Sequence, residues 1–156
     1  MLLKKSIISF LLIFTMFSII GCSQETTTTA GLDYSDFDYI SDYSEVFNRR
    51  EGDYLVYVYQ DTCAACLRLK TDFLNFANTY EDYQIYFYNV GKNSDTTNQA
   101  EYLSIIGQTQ VSTPVLLVVK NKSFDNTNVS RYYFAGETKI RAMMTDLEKD
   151  SYPYWD

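Results

Sequence analysis

Cys63 and Cys66, three residues apart in "DTCAACLRLK", are the residues of this chain whose type and spacing can do chemistry. A C-x-x-C pair serves reversible thiol-disulfide exchange, half of a metal site, or a structural crosslink. The chain has no histidine and one further cysteine, Cys22. A structural zinc ion takes four ligands, usually Cys and His. Two carboxylates would have to come from elsewhere here, so no metal site is expected. The missing histidine also excludes a Ser-His-Asp triad. A crosslink across three residues closes so small a loop that it constrains little of the unfolded chain. Redox exchange is the use that fits, with a reversible Cys63–Cys66 disulfide and no cofactor.

The elements that position this pair are readable as patterns. "YLVYVY", Tyr54 to Tyr59, is rich in β-branched and aromatic residues and reads as a buried strand. After the cysteines, Leu67, Leu69, Phe73, Leu74, Phe76 and Ala77 form an amphipathic pattern to about Tyr80, so a strand runs into a helix with the cysteines at the junction. Upstream, Ile40, Tyr43, Val46 and Phe47 recur at helical spacing and predict a first helix over 41–50. Downstream the reading is a strand over 83–90, a short helix over 98–107, strands over 114–120 and 130–136, and a final helix over 137–150. This order of strands and helices is that of an α/β sandwich. With 156 residues, 46% hydrophobic and 17% aromatic, the chain has material for one core.

A thiol at the first turn of a helix meets N–H groups that lack intrahelical acceptors, and it sits at the positive end of the helix dipole. Cys63 is therefore expected to be the nucleophile, with its pKa drawn below the free value. Cys66, on the same helical face, is expected to be the resolving thiol that attacks a mixed disulfide formed at Cys63.

The N-terminus has a different character. Basic "MLLKK", the apolar run Ile7 to Ile20 and then "GC" form a secretory signal pattern, too short to span a bilayer. "IIGC", Ile19 to Cys22, resembles the bacterial lipobox, which implies removal of residues 1–21, acylation of Cys22 and attachment to the extracytoplasmic face of the bacterial cell membrane. Residues 22–39, Thr-rich and polar at first, are expected to be a flexible linker, and 40–156 the folded domain. Removal of 1–21 takes away Lys4 and Lys5 and leaves 11 basic and 20 acidic residues, a formal charge of −9. That balance argues against nucleic-acid binding.

The C-x-x-C at the first strand-to-helix turn and "VSTP" before the third strand together resemble the thioredoxin family, over about residues 40–150. "ISDYSEVFNRREGDYLVYVYQDTCAAC" resembles in particular the small exported thioredoxin-like proteins described as bacteriocin-transport accessory proteins. The resemblance implies a three-layer sandwich, with a mixed sheet of four to five strands flanked by helices. It also implies a cis peptide at Thr113–Pro114, in a loop against the cysteines where Thr113, Pro114 and Thr62 meet an extended substrate. The chain departs from the family at several positions. Ala64 and Ala65 replace Gly-Pro, Thr62 stands where Trp is usual, and Tyr57 stands where the family has a buried Asp. Asp61, Arg68 and Lys70 are the charges nearest the pair, and each also fits a solvated surface.

The function expected is a membrane-anchored thiol-disulfide oxidoreductase that exchanges disulfides with cysteine-containing exported proteins or peptides and is recycled by a redox partner protein. The alternative is a non-catalytic accessory module for a secreted peptide or its transporter. Direction is set by the reduction potential, and Ala64-Ala65 add no polar donor that would favour a very strong oxidant.

Overall fold

A computed structural model describes residues 31–92 and 96–153. The expected signal segment, Cys22 and the start of the expected linker lie outside the described residues. Within these residues the chain forms five strands, β1 (Tyr39–Ile40), β2 (Tyr54–Tyr59), β3 (Ile85–Asn89), β4 (Val115–Val119) and β5 (Tyr133–Ala135), in the spatial order β1-β3-β2-β4-β5. β1, β3 and β2 run parallel, while β4 and β5 are antiparallel to their neighbours. The helices are α1 (Ala64–Thr79), α2 (Gln99–Ile105), α3 (Val129–Tyr132) and α4 (Glu137–Glu148). This is the expected mixed sheet with flanking helices.

β2 is buried on both faces because side chains alternate across a strand and both faces are covered. Leu55, Tyr57 and Tyr59 point to the layer made by Cys66, Leu69, Phe73 and Phe76 of α1 and Ile140, Met143 and Leu147 of α4. Tyr54, Val56 and Val58 point to the other layer, with Tyr102 of α2, Ile106, Ile40, Tyr43 and Val46. Tyr57 stacks on Phe73 with ring centroids 3.9 Å apart. Such pairs add about 0.5–1.5 kcal/mol beyond the area they bury.

Three expectations are corrected. The helix over 41–50 is a single 3-10 turn, Tyr43–Glu45. Asp42 accepts from the Ser44 N–H at 2.7 Å and Glu45 from the Ser41 N–H at 2.9 Å, and such local bonds compete with a continuing helix. Tyr43 and Val46, three apart, are buried by that one turn, whose period is also three. The linker expected through Tyr39 is folded over its last part. Leu32, Tyr34 and Phe37 pack on the α1-side core, Tyr34 stacks on Tyr59 at 3.8 Å and Phe37 meets Phe87 at 4.9 Å. The aromatic residues of "DYSDFDY" are thus core-facing, and Asp33 binds Lys70 of α1 at 3.0 Å. The strand expected over 130–136 is β5 alone. Asp125 accepts from the Thr127 N–H at 2.9 Å and turns the chain helical, so Val129–Tyr132 form α3 before pairing with β4 begins at Tyr133.

The β2–α1 packing positions the cysteine junction. Phe73→Ala should lower the unfolding free energy by about 3–5 kcal/mol, the usual cost of emptying a buried aromatic site. Urea unfolding of the two chains measures this, and a loss below about 1 kcal/mol would show that this ring does not hold α1 to the sheet.

Candidate active site

β2 ends at Tyr59, and the chain turns through Gln60, Asp61 and Thr62 before α1 starts. The Cys63 N–H donates to the Gln60 carbonyl at 3.1 Å, which closes the turn, and the Leu67 N–H donates to the Cys63 carbonyl at 3.0 Å, which opens the helix. Cys63 is thus the N-cap residue. Its backbone is extended, and its Sγ accepts from the Cys66 N–H at 3.2 Å, as a Ser or Asp oxygen does at other helix starts.

Both thiols are reduced, with Cys63 half-buried and Cys66 only 1% exposed. Partial burial opposes ionisation of Cys63. The Cys66 thiol, the Thr113 side chain and the N–H groups of Cys66 and Ala65 outweigh it by hydrogen-bonding the anion, so the Cys63 pKa falls below the ordinary thiol value. Burial first, and then the bond to Cys63, push the Cys66 thiol up to about 12. The two cysteines are therefore unequal in the sense expected from their order on the helix. Cys63 is the more readily ionised of the two, and Cys66 is a buried thiol.

The Thr113–Pro114 peptide is cis. The Cys63 Sγ lies 3.4 Å from the Thr113 carbonyl, an acceptor for the thiol form, so this loop reaches the pair from β4. The Pro114 carbonyl accepts from the Gly136 N–H at 2.9 Å. Gly136 has φ +89°, a conformation costly for a side-chain-bearing residue, and it begins α4 directly after β5. Thr62 is exposed beside Cys63. The structure therefore brings Thr62, Cys63, Cys66, Thr113 and Pro114 together, while Cys22 lies outside the described residues.

The nearby charges are engaged elsewhere. Arg68 pairs with Glu137 at 2.9 Å, Lys70 with Asp33 at 3.0 Å, and Asp61 with Lys92 at 3.6 Å. Tyr34 was not among the expected site residues. It bounds a cavity of about 710 Å³ beside Cys66, together with Tyr59, Gln60, Asp61, Leu67 and Lys70. Its aromatic-acidic stretch was the available signal.

The pKa directions generate a test. In reduced protein at pH 7, a limiting amount of iodoacetamide should label Cys63 more than about tenfold ahead of Cys66, because only the thiolate reacts. The Cys63 rate should also level off at a lower pH than that of a free thiol. Peptide mapping after the reaction reads both, and equal labelling would overturn the assignment of roles.

No family model matches the sequence, and no curated protein sequence matches it. Solved structures do match the fold. A chain from the structural study of the thiol resolving mechanism in yeast mitochondrial 1-Cys peroxiredoxin via glutathione/thioredoxin systems superposes with a TM-score of 0.54 at 12% identity, over 76% of this chain and 99% of that one. Mitochondrial thioredoxin 3 from Saccharomyces cerevisiae, in its oxidised form, gives 0.53 at 13%, over 74% and 97%. Thioredoxin f2 from Chlamydomonas reinhardtii gives 0.51 at 11%, over 74% and 97%. With its strand order and the helices on both faces of the sheet, this chain has the thioredoxin-like fold.

Proposed function

We propose that the protein is a thiol-disulfide oxidoreductase held by an acylated Cys22 on the extracytoplasmic face of a bacterial cell membrane, where it exchanges disulfides with cysteine-containing exported proteins or peptides. The observation that carries this reading is the half-exposed Cys63 sulfur at a helix start, hydrogen-bonded by the Cys66 N–H at 3.2 Å and 3.4 Å from the Thr113 carbonyl. Cys63 attacks a client disulfide and forms a mixed disulfide while one client sulfur leaves. Cys66 then attacks Cys63, and the second client sulfur is released. The client gains two electrons and the protein is left with a Cys63–Cys66 disulfide. A redox partner protein reverses this, and the opposite direction runs by the same steps. The disulfide is the only redox group required, with no cofactor and no metal. The client chain lies extended along Thr113 and Pro114, with Thr62 at its other side.

Two experiments test this reading. Cys63→Ser should abolish reduction of a disulfide-bonded peptide, while Cys66→Ser should retain the first attack and trap the peptide on Cys63, visible by mass spectrometry. Full biological activity in Cys63→Ser would instead make the domain a non-catalytic accessory module for a secreted peptide or its transporter. For the anchor, a fatty-acid probe fed to cells should label the wild type and not Cys22→Ser, and equal incorporation would remove lipid attachment from the proposal.

A further inference from the structure

The cavity of about 710 Å³ beside Cys66 lies at the same edge of the sheet as the cysteine turn. β1, β3 and β2 are parallel, so all three end at that edge, and β4 begins there because it is antiparallel to β2. In the order β1-β3-β2-β4, the turn after β2 has the Thr113–Pro114 loop on one flank and the ends of β3 and β1 on the other. The cavity occupies this second flank, with Ile40, Gln60, Cys66 and Asn89 in its wall. The crevice outside the carboxyl ends of parallel strands is where open α/β sheets take their ligands.

The lining selects the chemistry of an occupant. Tyr34, Tyr59 and Phe87 form an aromatic wall, the Tyr34 ring centroid lying 3.8 Å from that of Tyr59 and 5.8 Å from that of Phe87. Among the described residues, Tyr39 and Leu67 are the large hydrophobic side chains left exposed, at 73% and 58%, and both stand on this cavity. Scattered singly, such residues need no explanation, but two of them around one concave aromatic site mark apolar surface that a partner covers. The charges of the lining cancel. Lys70 pairs with Asp33 at 3.0 Å and Lys92 with Asp61 at 3.6 Å, so the cavity is neutral in a chain whose formal charge is −7. An anionic group finds both lysines already paired, while an uncharged apolar group meets rings and a leucine.

Position decides which molecule supplies that group. A client whose sulfur is joined to Cys63, and whose backbone pairs beside Thr113, crosses the cysteine turn and continues towards the ends of β3 and β1. Neighbouring strands lie about 5 Å apart, so β1 is about 10 Å from β2, a span that an extended chain covers in about three residues.

We propose that this cavity is a subsite of the exchange site that receives a large apolar side chain of the client, an aromatic one fitting best, about three residues from the client cysteine on the side away from Thr113. Tyr39 and Leu67 are then specificity-determining residues, and the clients are peptides or unfolded segments with an aromatic residue near the cysteine. The inference rests on the exchange reading of the Cys63–Cys66 site.

The test uses the full chain carrying Cys22→Ser, reduced, and glycine-rich peptides whose single cysteine is disulfide-bonded to thionitrobenzoate. Cys63 attacks the peptide sulfur, and thionitrobenzoate leaves with the electron pair of the broken bond, its absorbance giving the rate. Each rate is divided by that of the same peptide with free cysteine, and by the iodoacetamide rate of the same protein variant. Phe about three residues from the cysteine, on one side of it only, should react about tenfold or more faster than Ala at that position, the scale of burying one aromatic side chain. Tyr39→Ser with Leu67→Ser should bring the Phe peptide down to the rate of the Ala peptide, and Leu67→Met, which keeps the apolar surface, should retain the gain. Equal rates for the Phe and Ala peptides in the wild type, or a gain that survives the two serine substitutions, overturns the proposal. A wild-type dimer that those substitutions dissociate also overturns it, since a second copy of the chain would then be the occupant. Absence of reaction with every peptide would remove the exchange reading itself, and the subsite with it, whereas equal rates remove the subsite alone.

Discussion

The N–H groups at the start of α1 have no carbonyl to bind within the helix, and a sulfur meets them. That interaction organises the site. It requires the helix to begin at Cys63, hence the turn closed by the Gln60 carbonyl and a strand that stops at Tyr59. It also requires the helix axis to be fixed against the sheet, which the stacking of Phe73 on Tyr57 and the burial of Leu69 supply. Once the axis is fixed, position three along the helix points inward. Cys66 is then buried by the same geometry that leaves Cys63 reachable, and the inequality of the two thiols needs no charged residue nearby.

The charged residues serve the frame. Arg68, Arg141, Asp72 and Glu137 join the outer faces of α1 and α4, with Arg141 bridging Asp72 at 2.5 Å and Glu137 at 3.1 Å. Glu137 lies one residue after Gly136, whose N–H holds the Pro114 carbonyl. The network therefore ties the helix bearing the cysteines to the segment that steadies the Thr113–Pro114 loop. Exposed pairs of this kind each contribute little to stability, and their effect here is to keep two elements in register.

Much of this was legible in the sequence where local pattern and tertiary environment agree. β2 matches its expected bounds because Tyr54–Tyr59 is a continuous β-branched and aromatic run buried on both faces. α1 ends at Thr79, within a residue of the expected end, and the C-x-x-C and Thr113–Pro114 meet as anticipated. The misses occur where partners distant in sequence decide. Tyr34 and Phe37 look like parts of a solvated linker until Tyr59 and Phe87 are placed beside them. β1 is two residues long, too short for any period to show, and Tyr43 with Val46 satisfies a 3-10 turn as well as a helix.

β1 and β5, the outermost strands, are two and three residues long. An exposed sheet margin is a row of open donors and acceptors onto which any extended polypeptide can add, and brevity is one way natural sheets discourage this. On the proposed reading the protein works among extended chains that have not yet folded, where a long free margin would gather them indiscriminately and seed aggregates. With both margins cut short, backbone pairing with such chains would fall, on that reading, to the segment around Thr113, beside the Cys63 sulfur.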